Sequence, residues 1–188
     1  LPNPAELTAF EAELRAEYAL PEGLIAMIRE TPADASTMHV VQTLVSALSL
    51  FDPECDDDSP EANIRKAIRL VAKTPTLIAA FDRHRKGKEI IPADANRSIA
   101  GNFLWMLRGE EPTETMVRAL DVCLVLHADH GFNASTFTSL VVISTLSDLY
   151  SACSAAVGAL RGPLHGGANE GVMVMLNKIG DMSKVDDF

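Results

Sequence analysis

Five histidines are the first place to look for chemistry in this chain, and two of their settings are unusual. His165 sits in Gly162-Pro163-Leu164-His165-Gly166-Gly167, directly before a helical segment that carries Asn169 and Glu170. Glycines in such a loop permit φ > 0 and close approach of backbone to a ligand. Backbone N–H groups at a helix start favour a carboxylate or thioester oxygen. An imidazole held in one tautomer there can donate a hydrogen bond to a carbonyl that is becoming an enol. A glycine-rich turn with an incidental histidine fits the same residues equally well. The segment is no phosphate-binding P-loop, because it lacks the G-x-x-x-x-G-K-[ST] pattern.

The second setting is Leu126-His127-Ala128-Asp129-His130-Gly131-Phe132-Asn133-Ala134-Ser135. His127 and His130 are three apart, so on a helix they share a face. Two histidines and Asp129 could supply metal ligands, but Asp129 points off that face if the helix continues. The other reading ends the helix at Gly131 and lets His130 project into a polar pocket, with Asn133 assisting. A carboxylate-bearing substrate suits such a donor. No metal is expected. His39 and His84 carry no assigned role.

The elements that must position these residues read as helix after helix. Pro4 opens a segment with Leu7, Phe10, Leu14 and Tyr18 at spacings of three and four, and Pro21 and Gly23 end it. Ser36 or Thr37 can cap a helix with a broad apolar stripe: Met38, Val41, Val45 and Leu48 on one face, with Val40 and Leu44 beside it. Six of the ten residues Asp52 to Glu61 are acidic, which predicts a solvated, self-repelling loop. It lacks the glycine and closing glutamate of an EF-hand. Ile64 to Phe81 is helical, with a kink or break expected at Pro75. The basic run Arg83 to Lys88 fits a helix C-terminus capped by Gly87, or a contact to a phosphate. Further helices are expected from Asn96 or Ser98 to near Gly109, around Thr113 to His127, at about Ser135–Leu146 and Asp148–Leu160, and from near Asn169 to Gly180. Small residues on the Ser135–Leu160 pair fit a central or subunit-facing position. Nothing alternates with period two, so the fold class is all-α.

The chain has 188 residues, 47% of them hydrophobic, and 16 basic against 26 acidic residues give a net charge of -10. That length buries a self-sufficient core, roughly 70% of the unfolded surface. The acidic balance argues against nucleic-acid binding, which rests on neutralising phosphates. No apolar run approaches the ~20 residues of a membrane span, so no membrane partner is expected. Leu1-Pro2-Asn3-Pro4 does not read as a signal peptide. Cys55, Cys123 and Cys153 show no CxxC and read as reduced thiols, with Cys123 and Cys153 as small core residues, in a cytoplasmic protein.

Read as whole strings, "LHADHGFNASTF" and "STLSDLYSACSAAVGALRGPLHGGANEGVM" resemble the citrate synthase family. The likeness extends through "GNFLWMLRGEEPTETMVRALDVCLVLHADH" and "MHVVQTLVSALSLFDPE", and so spans essentially the whole chain. It implies a two-domain helical homodimer, its subunits meeting through helices 135–160. The implied reaction condenses acetyl-CoA with oxaloacetate and water to citrate and CoA, the entry step of the citric acid cycle. Both are substrates, and no cofactor stays permanently bound. In motif register His165 matches the family histidine that hydrogen-bonds the acetyl carbonyl. His130 matches the oxaloacetate-binding histidine, and Asn133 and the Gly166 backbone fall in the same pocket. The family's catalytic aspartate, a further histidine and the substrate-clamping arginines have no match within the 188 residues. The chain therefore reads as an internal slice, with residues 1–165 in the large domain and 166–188 opening the small one, and alone it is expected to turn over little substrate. Two alternatives stay open: 2-methylcitrate synthase, which uses propionyl-CoA, and a non-catalytic helical dimerisation module.

Overall fold

A computed structural model describes residues 1–129 and 131–186. The regular structure among the described residues is all helical, with no strand. Nine α-helices follow one another among them: α1 (Pro4–Ala16), α2 (Glu22–Glu30), α3 (Thr37–Ala47), α4 (Pro60–Arg85), α5 (Ile99–Arg108), α6 (Glu114–Leu126), α7 (Ala134–Ile143), α8 (Leu149–Leu160) and α9 (Gly167–Ile179). The 3-10 turn Leu48–Phe51 extends α3.

Local chemistry sets most of the starts. Asn3 accepts from the backbone N–H groups of Ala5 and Glu6, while Glu6 reaches back to the Asn3 N–H, a complete capping box with Pro4 inside it. Ser59, Ser98, Thr113, Asn133 and Asp148 each accept a backbone N–H of the helix they precede. The ends are equally local. Gly87 and Gly109 take left-handed φ of 63° and 77° just past α4 and α5, where a side chain would strain the backbone.

Two clusters make the core. The larger joins Leu24 and Ile28 of α2, Val40, Val41, Leu44 and Val45 of α3, Leu70, Leu77, Ala80 and Phe81 of α4, and Tyr150 of α8. The smaller seats Leu14 and Tyr18 against Ile68 and Ala72. Helix α8 lies between α3 and α7. Ser154 Oγ donates to the Gln42 carbonyl across the α3–α8 contact at 3.0 Å.

Three expectations change. Helix α4 runs unbroken through Pro75, because Thr76, Leu77, Ala79, Ala80 and Phe81 directly after it are buried with the residues before it. Shared burial on that scale outweighs the ~3 kcal/mol a mid-helix proline costs. The acidic loop is not simply solvated and repelling. Three cations of α4 hold it: Arg65 contacts Glu54, Arg69 bonds Asp52 at 2.9 Å and Glu54 at 2.6 Å, and the buried Lys66 ammonium donates to the carbonyls of Cys55 and Asp57 at 3.1 and 2.7 Å. Cys123 is exposed rather than in the core, since α6 presents its apolar side outward among the described residues. The basic run is resolved in favour of the helix end. Arg85 and Lys86 pair with Asp82 at 2.8 and 2.5 Å, and Arg83 donates to the Glu89 carbonyl.

Candidate active site

The loop that carries His165 is a tight turn between α8 and α9. Its centre is the Gly162 carbonyl, which accepts from the N–H groups of both His165 (2.9 Å) and Gly167 (3.1 Å). Gly162, Gly166 and Gly167 do not use the left-handed region anticipated for them. Their value is close approach. A Cβ on Gly166 would lie 2.4 Å from Leu160 Cδ1 and 2.5 Å from the Leu160 carbonyl oxygen. A side chain there would push the turn off the end of α8.

The turn delivers the half-buried His165 ring to the start of α7. Its Nε2 lies 2.8 Å from Ser135 Oγ, and Ser135 Oγ lies 3.0 Å from the Ala156 carbonyl of α8. A hydroxyl has one proton and here has two acceptors in reach. Turned to Ala156, Ser135 accepts from an Nε2–H, and the neutral ring then carries no proton on Nδ1. Turned to the ring, Ser135 donates to a bare Nε2, and the neutral imidazole carries its proton on Nδ1. Only the second state lets a neutral His165 donate through Nδ1 to a carbonyl oxygen. Ser135 thus couples the tautomer of His165 to a backbone carbonyl one helix away.

Ser135 was absent from the sequence-derived candidates. Its one signal is a hydroxyl two residues after a capping asparagine, on a helix otherwise rich in apolar and small residues. Asn133, which was a candidate, is the N-cap of that same helix: its Oδ1 accepts the Thr136 N–H at 2.9 Å. It therefore fixes where α7, and with it Ser135, begins. Gly166 lines a cavity of about 510 Å³ between the start of α3, at Ser36 and Met38, and the turn residues Leu160, Arg161 and Asn169. His130 lies outside the described residues. Next to it, His127 ends α6 with its Nδ1 2.7 Å from the Cys123 carbonyl, and Asp129 accepts the Gly131 N–H at 2.7 Å. His127 thus closes the end of α6, and Asp129 holds the turn at Gly131.

The chemistry such a site supports is narrow. A half-buried imidazole hydrogen-bonded to a serine is suited to hydrogen-bonding an oxygen that gains negative charge.

Comparison with known proteins gives a consistent answer. The family model described as citrate synthase, C-terminal domain, matches residues 1–188. The citrate synthase of Deinococcus radiodurans is 48% identical over 188 residues, covering all of this chain and 50% of the relative. A 2-methylcitrate synthase of Mycobacterium tuberculosis is 43% identical over 181 residues, 96% of this chain and 46% of the relative. The chain spans about half the length of these curated relatives. Among solved structures, citrate synthase from Pyrobaculum aerophilum superposes with a TM-score of 0.89 at 37% identity, over 98% of this chain and 48% of that one. The ternary complex of carboxymethyl coenzyme A and oxaloacetate with Thermoplasma acidophilum citrate synthase superposes with a TM-score of 0.89 at 28% identity, over 100% of this chain and 49% of that one. A match along every residue, an all-helical fold shared with the solved enzymes and a histidine turn pinned to a neighbouring helix agree with one another: the chain belongs to the citrate synthase family.

Proposed function

We propose that the protein containing this segment condenses acetyl-CoA with oxaloacetate and water to give citrate and CoA. The observation that carries the reading is the His165–Ser135–Ala156 relay at the mouth of a glycine turn. In this reading His165, neutral and protonated on Nδ1, donates to the thioester carbonyl as the methyl group loses its proton. The carbonyl oxygen gains charge in that step, and a fixed donor there lowers the barrier. His130, Asn133 and the Gly166 backbone hold oxaloacetate so that its keto carbon faces the nascent enol, which is the orientation a carbon–carbon bond requires. The base that removes the methyl proton lies outside these 188 residues, so the segment alone turns over little. Residues 1–165 belong to the large domain and 166–188 open the small one, which places His165 at the hinge.

Three further features complete the proposal. Two subunits meet through the small-residue pair α7 and α8, whose outer α7 side exposes Phe137, Leu140 and Val141. Cys55, Cys123 and Cys153 are all free thiols, which suits a reducing, cytoplasmic setting. Acetyl-CoA and oxaloacetate come and go as substrates, with no resident cofactor.

The second reading, propionyl-CoA as the acyl donor, is favoured by the 43% identity to a 2-methylcitrate synthase. One methylene is worth only about 1–3 kcal/mol of discrimination. Thiol release by the full-length protein with each acyl-CoA in turn, oxaloacetate present, separates the two. Acetyl-CoA is expected to give the higher kcat/KM. His165→Ala is expected to lower kcat by about 10²–10³. Ser135→Ala should lower kcat by roughly tenfold with little change in KM, because it disturbs the proton's position rather than binding. Full activity in His165→Ala would overturn the assignment.

A further inference from the structure

One buried group of charges stands apart from the site yet is tied to it by a single helix. Asp52, at the head of the acidic loop, is buried, and its carboxylate is met by polar partners: Arg69 Nη1 lies 2.9 Å from both carboxylate oxygens, the Glu54 N–H reaches Oδ1 at 2.9 Å, and the Tyr150 hydroxyl donates to Oδ2. Tyr150 is 1% exposed and belongs to the first turn of α8. Burial, then the hydrogen bond to Asp52, pushes its hydroxyl well above the ordinary phenol range, so it remains a donor. Arg69 in turn contacts Glu54 and Glu17, which joins α1 and the loop to the same point.

Helix α8 is a short rigid ruler between this cluster and His165. Ala156, whose carbonyl competes with His165 for the Ser135 proton, lies six residues beyond Tyr150, about 9 Å along the axis. Ser154 bonds the Gln42 carbonyl between them. A change in how the first turn of α8 is anchored therefore moves the Ala156 carbonyl against α7, and a hydroxyl's choice between two acceptors responds to shifts of a few tenths of an ångström.

We infer that Tyr150 is a positioning residue: bonded to the partly buried Asp52–Arg69 pair, it holds α8, and with it the Ala156 carbonyl, in register against Ser135 and so sets the tautomer ratio of His165. The role rests on the reading of His165 as the group that meets the acyl carbonyl, but the device itself exists without substrate and is tested without it.

The test is ¹⁵N NMR of the histidine-labelled full-length protein, in which the two ring-nitrogen shifts report the tautomer of each neutral imidazole. The His165 signals are assigned by their loss in His165→Asn. Ser135→Ala, which removes the coupling directly, must move them and so calibrates the readout. Tyr150→Phe is expected to change the His165 tautomer ratio in the same sense, by up to about tenfold, the factor one charge-assisted hydrogen bond can supply. Asp52→Asn, which keeps an acceptor for Tyr150 but weakens Arg69, should move it less in the same direction, and serves if Tyr150→Phe does not fold. Arg97→Gln removes the remote contacts to Glu111 and Asp94 and should leave the ratio unchanged. Unmoved His165 signals in both α8-anchor variants, or an equal shift in Arg97→Gln, would overturn the inference. Inactivity of the full-length protein toward acetyl-CoA would overturn the functional reading alone and leave this one standing.

Discussion

At the scale of single residues, the glycines around His165 act through the space they leave empty. Gly166 has ordinary helical φ and ψ, so alanine is not excluded by backbone conformation. It is excluded by contact, since one of the three clashing atoms is the Leu160 backbone carbonyl oxygen, which cannot rotate away. Gly171, one turn further along α9, has nothing within 4 Å of where a Cβ would sit. The pair separates propensity from packing. Gly166→Ala should destabilise the chain by about 1–3 kcal/mol, as an overpacked site does. Gly171→Ala should stabilise it by about 0.5–1 kcal/mol, as alanine does in an open helical position. Chemical denaturation of both variants checks this. Equal midpoints for the two would show that the turn yields to a side chain.

At the scale of elements, the clasp between α4 and the acidic loop has a definite pH signature. Arg65 and Arg69 hold the Glu54 carboxyl at about 2, well below its ordinary value. Burial works against ionisation of Asp52, but hydrogen bonds from Tyr150, the Glu54 N–H and Arg69 outweigh it, and its carboxyl is also lowered. A carboxylate whose folded value is depressed contributes stability that is complete above its unfolded value. That contribution disappears as pH falls towards the folded value. The clasp is thus intact above about pH 4.5 and is lost between there and about pH 2, the range bounded by the ordinary and folded values of Glu54. Arg69→Gln removes the shared partner and should raise the acid-unfolding midpoint by on the order of 0.5–1 pH unit, read by circular dichroism. An unchanged midpoint would mean that the loop bears no part of the acid stability. The half-exposed pair Arg15–Glu11, one turn apart on α1, should contribute little by comparison.

At the scale of the whole molecule, apolar surface is distributed unevenly. The α2, α3, α4 and α8 cluster is closed, whereas α6, α7 and α9 leave Val125, Phe137, Leu140 and Met173 more than half or nearly half exposed. Large exposed apolar faces of this kind mark sites of association. For α7, the proposed cover is a second subunit. Leu140→Lys should then weaken self-association by about 2 kcal/mol or more, the cost of a central interface residue, and shift the full-length protein towards monomer in sedimentation. A profile unchanged by the substitution would move the interface elsewhere. The same substitution should hardly alter the stability of a monomer, since Leu140 makes no part of the closed core.

Sequence alone determined the helices, because their signals are local. Apolar residues at spacings of three and four, side-chain caps such as Asn3 and Ser98, and terminal glycines such as Gly109 act within one or two turns and need no distant partner. The histidine turn and its family likeness were legible for the same reason, as one contiguous string. What only tertiary structure decided involves residues far apart in the chain. Ser135 meets His165 across 30 positions, and Tyr150 meets Asp52 across 98. Helix α4 passes Pro75 because core burial on both sides of it outweighs a local penalty. The acidic loop is held rather than repelled because three cations on another element face it. In each case the deciding energy is a contact that exists only once the helices have packed, and neither composition nor periodicity encodes which helix will lie alongside which.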